Sequence, residues 1–116
     1  SWNLLTVTFR AVWTTTATDT DGVSWGLQGV ACGDGDTIDV AYGTGVVVDD
    51  AGQSTAEDMY LTAESTAVTI AGTPADDQIC YFRVYRDIDD SNDTATEDAR
   101  LMGVKIIFIT DLGNDT

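Results

Sequence analysis

Leu4-Leu5-Thr6-Val7-Thr8-Phe9-Arg10-Ala11-Val12-Trp13-Thr14-Thr15 decides the fold class. Leu5, Val7, Phe9, Ala11 and Trp13 fall on one side of an extended chain. Thr6, Thr8, Arg10 and Thr14 fall on the other, with Val12 the only apolar intruder. Successive side chains of a strand point to opposite faces, so this parity describes a strand with one buried and one wet face. The rhythm recurs downstream, between turns of Asp, Gly, Thr and Ser. Val23 to Cys32 sets Trp25 and Leu27 against Gln28. Val46-Val47-Val48 is β-branched and too short for a helix. Met59 to Ala63 alternates weakly, although Ala56 to Ala63 also contains good helix formers. Ala67 to Ala71 carries Val68 and Ile70. Gln78 to Asp87 sets Cys80, Phe82 and Val84 against Ile79, Tyr81, Arg83 and Tyr85. Arg100 to Thr110 closes the series. With a short segment over Thr37 to Tyr42, these make about eight strands at sandwich or barrel spacing. The reading is one all-β, antiparallel domain over residues 1–116. Its expected core is Phe9, Trp13, Trp25, Leu27, Phe82, Val84, Val104, Ile106 and Phe108.

A single domain of 116 residues, 43% of them hydrophobic, has enough apolar material for one core without staples. Twenty acids against five bases give a formal charge of −15. Such a surface repels duplex nucleic acid and anionic membrane, so neither is an expected partner. It suits solubility in a salty or crowded setting, where salt screens the self-repulsion. No apolar run approaches the roughly 20 residues a membrane helix needs, so no membrane insertion is expected. The start has no signal-peptide pattern. It also lacks Met and enters strand pattern almost at once, as a segment of a longer chain would. Asn92-Asp93-Thr94 and Asn114-Asp115-Thr116 match the glycosylation sequon, which matters only in a eukaryotic secretory setting. Cys32 and Cys80 are too few for a disulfide framework and are expected as free thiols.

Catalytic residues are not expected. The chain has no His to activate a Ser, Cys or Thr. Twenty carboxylates guarantee some close pair, so a pair in sequence says nothing of glycosidase chemistry. Calcium is the open cofactor question. Asp87, Asp89, Ser91, Asp93 and Asp98 stand at positions one, three, five, seven and twelve of an EF-hand-like spacing. The Gly usual at position six is replaced by Asn92, and the loop lies between strands. The plainer reading is a hairpin loop whose side chains close turns on their own backbone. Asp19 with Asp21, and Asp34 with Asp36, carry the same two readings.

The aromatics allow two functions. Trp2, Trp13, Trp25, Tyr81 and Tyr85 could stack sugar rings beside acidic groups, although Trp13 and Trp25 share faces with core residues. Tyr81, Arg83 and Tyr85 instead make an outward stripe with the composition of an interface centre. The last strand agrees with that reading. It places Leu101, Ile107 and Ile109 opposite Met102, Val104, Ile106 and Phe108, and a strand apolar on both sides is buried on both sides. The expected interface is therefore Tyr81, Arg83, Tyr85, Leu101, Ile107 and Ile109, most simply against another copy.

The chain also resembles a family of virion structural domains encoded by marine and other environmental phages. The resemblance rests on Ser1-Trp2-Asn3, Thr6-Val7-Thr8-Phe9-Arg10 and Trp13, then Val23-Ser24-Trp25-Gly26-Leu27-Gln28-Gly29-Val30 and Gly33-Asp34-Gly35-Asp36. It continues through Ala41-Tyr42-Gly43-Thr44 and Ala71-Gly72-Thr73-Pro74. Its strongest parts are Tyr85-Arg86-Asp87, Asp98-Ala99-Arg100-Leu101 and Gly103-Val104-Lys105. Cys32 and Cys80 depart from the pattern. The resemblance implies a jelly-roll-like β-sandwich in the phage particle, decorating the capsid or forming a fibre, with no catalytic residues to carry over. The expected partners are further copies, a trimer being the expected number, and virion proteins such as the major capsid protein. The alternative is a carbohydrate-binding module of a surface or secreted protein.

Overall fold

The computed structural model describes residues 6–72 and 78–108, and every regular element among them is a strand. These are β1 (Thr6–Thr15), β2 (Gly22–Cys32), β3 (Val46–Ala51), β4 (Tyr60–Leu61), β5 (Val68–Ala71), β6 (Ile79–Arg86) and β7 (Ala99–Ile107). The eighth candidate, Thr37 to Tyr42, is irregular, while β3 runs on through Asp49 and Asp50. No helix forms over Ala56 to Ala63; Glu57 sits at a φ of 65°, outside the right-handed helical region.

The seven strands are hydrogen-bonded into one continuous mixed sheet that folds over into two layers, and β1 and β2 are the central strands of these two sheets. β1 pairs with β7 along one edge, from Thr8 opposite Ile107 to Thr15 opposite Ala99. Along its other edge it meets β4 and then β5. Between those two short ladders, side-chain hydroxyls take over: Thr62 Oγ1 accepts from the Ala11 amide and Ser65 Oγ from the Phe9 amide, each at 3.0 Å. β2 pairs with β6 along one edge and with β3, then β5, along the other. β5 thus belongs to both sheets, with Val68 and Thr69 on β1 and Ile70 and Ala71 on β2. That explains the one departure from antiparallel pairing. β1 and β2 run in opposite directions, so a strand antiparallel to β1 must lie parallel to β2.

The inner faces follow the parity of the sequence. Val7, Phe9, Ala11 and Trp13 from β1 pack with Val23, Trp25, Leu27 and Ala31 from β2, closed by Val68 and Ile70. Trp13 sits at the centre, its ring 6.4 Å from Trp25 and 5.0 Å from Tyr60. The expected core fails at its rim. Phe82, Val84, Val104 and Ile106 are only half-buried, because β6 and β7 are edge strands that pack from one side. Phe108 is 54% exposed, just past the end of β7. A register shift corrects the last strand further. Val12 lies opposite Gly103 but Trp13 lies opposite Leu101, so Met102 is looped out as a bulge. Leu101 therefore falls on the inner side with Trp13, not on the outer side with Ile107.

Cys32 and Cys80 are both free. Cys80 lies opposite Ala31 and Cys32 opposite Ile79, which puts them on opposite faces of the sheet, where no disulfide can join them.

The two central tryptophans differ in one respect. Trp13 Nε1 donates to Asp50 Oδ2 at 2.9 Å, whereas Trp25 Nε1 is buried with no acceptor among the described residues. Removing an unsatisfied donor offsets part of the loss on truncation; removing a donor to a carboxylate adds to it. Trp25→Phe should therefore cost at least about 1 kcal/mol less than Trp13→Phe in urea unfolding. Equal losses would show that the Trp25 indole has found a partner.

Candidate functional site

The outer face of β2 and β6 carries the tyrosine stripe. Tyr85 lies flat across β2: a Cβ on Gly26 would overlap the Tyr85 ring, so the ring keeps this place only over a glycine. The Arg83 guanidinium stacks over that ring at 5.1 Å from its centroid, and its Nη1 donates to Gln28 Oε1 at 2.8 Å. Arg83 and Tyr85 are thus engaged by their own sheet. Tyr81 remains 48% exposed.

A feature invisible in the sequence lies beside Tyr81. Residues 33–45 cross the outer face of β2, held by the Gly43 amide donating to the Gly29 carbonyl at 3.0 Å and by Gln28 Nε2 donating back to the Gly43 carbonyl at 3.2 Å. The crossing buries Val30 and Cys32 and leaves Ile38, Val40 and Tyr42 exposed. These side chains and Tyr81 line a cleft of about 250 Å³.

The outer face of β1 and β7 is different in charge. Ile107 is half-buried opposite Thr8, and Lys105 lies opposite Arg10. Ile109 lies outside the described residues. Because Ile107 pairs on one sheet and Tyr81 on the other, both pointing away from the core, they occupy opposite faces of the sandwich. The single interface expected from sequence, with Tyr81 or Tyr85 beside Ile107, is therefore two separate surfaces.

The Asp87 to Asp98 loop closes on itself. Asp87 Oδ1 accepts from the Asp89 amide and Asp90 Oδ1 from the Asn92 amide, at 3.2 and 2.9 Å. Asp93 grips Arg86 through both oxygens, at 2.9 and 2.8 Å, and accepts from the Ser24 amide at 3.1 Å. Arg86 in turn donates to the carbonyls of Ala95 and Glu97, which fastens the loop to the end of β6. This is the turn-closing role; Asp87, Asp89, Asp93 and Asp98 do not converge. Asp36 plays a similar part, its Oδ2 accepting from the Gly33 amide at 2.8 Å.

Carboxylates do converge elsewhere. Among the described residues, Asp19, Asp21 and Glu97 are the one acidic trio whose oxygens lie within 4.8 Å of one another. The neighbouring Asp19 charge, more than desolvation or Glu97, raises the Asp21 carboxyl above its ordinary value. Asp19 and Asp21 were legible as an Asp-rich turn. Glu97's place beside them had no marker, because its loop reaches the turn through long-range pairing, β7 on β1 and the Thr94 and Ala95 amides on the Gly22 carbonyl. Another concavity, an apolar groove of about 380 Å³, opens between the edge strands and is lined by Val7, Gln78, Cys80, Phe82, Ile106 and Phe108.

Comparison of the chain with family models, with curated proteins and with solved structures finds no match in any of the three.

Proposed function

We propose that this chain is a non-enzymatic structural protein of a phage virion that self-associates to decorate a capsid or build a fibre. The observation that carries the reading is exposed apolar surface on both outer faces of a small, highly charged sandwich. Ile38 is 81% exposed and Tyr81 48% on one face, and Leu61 is 39% exposed on the other. Isolated exposed apolar side chains are ordinary; clustered ones mark contact surfaces. The resemblance in sequence supports the virion setting, with other copies and capsid proteins as partners.

The test is Ile107→Asp, on the outer face of β7. The variant should stay folded with some loss of melting temperature, since Ile107 is half-buried, remain monomeric in sedimentation, and no longer bind purified phage particles. Normal assembly by the variant would sink the reading. The Tyr42–Tyr81 cleft favours a second reading, a carbohydrate-binding module. Its aromatic rings suit sugar stacking, but Ile38, Val40 and Val30 make the lining mostly apolar, where a sugar needs several polar partners. Saturable binding in an oligosaccharide titration, lost in Tyr81→Ala, would replace the first reading with this one.

A further inference from the structure

We infer that copies of this chain associate head to tail, the outer face of β2 and β6 on one copy docking onto the outer face of β1 and β7 on the next. This rests on the self-association proposed above and specifies its geometry.

The two faces are complementary in charge as well as apolar. On the first, Ile38, Val40, Tyr42 and Tyr81 are exposed around one cleft, with Ile79 beside them on β6. Asp34, Asp36 and Asp39 stand exposed in the same crossing segment. Its one cation, Arg83, is occupied by Gln28 and the Tyr85 ring. On the second face, Val12, Leu61 and Ile107 point outward, with Met102 exposed at the bulge. Arg10, Arg100 and Lys105 lie there, three of the five bases in a chain of net charge −15. Acids accompany them: Glu64 accepts from Thr8 Oγ1, Glu57 lies 3.9 Å from Arg100, both partners well exposed, and the exposed Asp58 accepts from Thr14 Oγ1 through its carbonyl. Lys105 has neither a hydrogen bond nor an ion pair among the described residues.

Like faces cannot meet well. A two-fold contact of the first face with itself sets three aspartates against three more. The same contact of the second face sets a mixture of acids and bases against its own copy, with no net attraction between the two. Juxtaposed like charges oppose association, whereas the mixed pairing sets Asp34, Asp36 and Asp39 towards Arg10, Arg100 and Lys105. A contact between two different faces is heterologous, so it propagates unless a rotation closes it into a ring. Here the faces lie on opposite sides of a two-sheet sandwich, so successive copies stack into an open fibre.

The experiment uses two variants and their mixture. Ile38→Asp disables the first face and Lys105→Glu the second; both positions are exposed, so both variants should melt like the wild type. In analytical ultracentrifugation the wild type should grow in mass with concentration. Each variant alone should stay at the single-chain mass of 12.4 kDa. The mixture should form a complex of two chains and no more, since one sound face remains on each. If one variant assembles alone while the mixture behaves as the sum of its parts, the contact is two-fold. That result overturns the head-to-tail inference and leaves self-association standing. A wild type that stops at a closed trimer overturns the open fibre in the same way. A wild type monomeric at every concentration overturns both.

Discussion

Trp13→Ala should destabilise the fold by about 3–5 kcal/mol, the range for removing a large buried aromatic. Trp13 is fully buried. Its ring touches Trp25 of the facing sheet and Tyr60 of the neighbouring strand, and its indole N–H is bonded to Asp50 of β3. One side chain therefore ties β1 to β2, β3 and β4. Tyr60 is itself anchored, its hydroxyl donating to the Thr55 carbonyl at 2.8 Å and accepting from the Gln53 amide at 3.2 Å. The cavity left by alanine cannot collapse without breaking those bonds, which argues for the upper part of the range. Domains of this size hold only about 5–15 kcal/mol in total, so the variant should be substantially unfolded at moderate urea. A loss under about 1 kcal/mol, within the spread of surface substitutions, would mean that the ring is not at the centre of the core.

The second large effect is expected at the Arg86–Asp93 pair. The Asp93 side chain is 3% exposed and that of Arg86 21%. Removing one partner leaves the other desolvated and uncompensated, so Asp93→Ala should cost about 3 kcal/mol, at the low end for breaking a buried pair because Arg86 keeps some water. The Ser24 amide and the 87–98 loop lose their tether as well. The pair also sets a pH dependence. The hydrogen bonds from Arg86 hold the Asp93 carboxyl below its usual range; burial opposes this, and the Ser24 amide and the Arg86 charge reinforce it. A depressed folded-state value means that the unfolded chain binds the proton more readily. The stabilisation is therefore complete above the unfolded value of about 3.9 and is lost as pH falls through the lower folded value. Asp21 has the opposite sign. Its raised value makes the folded chain the better proton acceptor, so its contribution is lost as pH rises. Acid titration of the unfolding midpoint should show the wild type losing its advantage over Asp93→Ala below about pH 4. A constant difference down to pH 2 would show that the carboxylate charge is not what stabilises the loop.

What the sequence made legible is the parity of the central strands. Phe9, Trp13, Trp25 and Leu27 are buried because strands in the middle of a sheet are covered on their apolar face whatever the connections. Parity fails at the edges for a physical reason. Val84 and Val104 have the same pattern as Leu27, but period-two reading cannot tell an edge from a centre. The Met102 bulge is also silent, since one extra residue flips the face of everything on one side of it and only the neighbouring Gly103 hints at it. The candidate interface divided along the same line. Tyr81 and Ile107 were correctly read as facing away from the core, while their placement on opposite sheets depends on topology. The 33–45 crossing, which supplies Ile38, Val40 and Tyr42, has no periodicity to betray it.

The long ladder between β1 and β7 has a consequence for how the chain acquires its structure. The first described strand is completed by the last: Thr15 waits for Ala99, and Phe9 for Ile106. The β2–β6 ladder is also long-range, though much less distant in sequence, and the β2–β3 ladder is the least distant of the long ones. Topologies dominated by such distant pairings fold slowly, on the order of milliseconds to seconds, because the entropy of closing the long loops is lost before the contacts repay it. During synthesis β1 and β2 emerge early, each with an apolar face; β2 is matched once β3, β5 and β6 follow, whereas β1 keeps an unmatched edge until residues beyond 99 have left the ribosome. A ribosome-stalled chain ending before β7 is therefore a sticky intermediate, and the crowd of acidic side chains along it is what keeps neighbouring nascent chains apart in the interval.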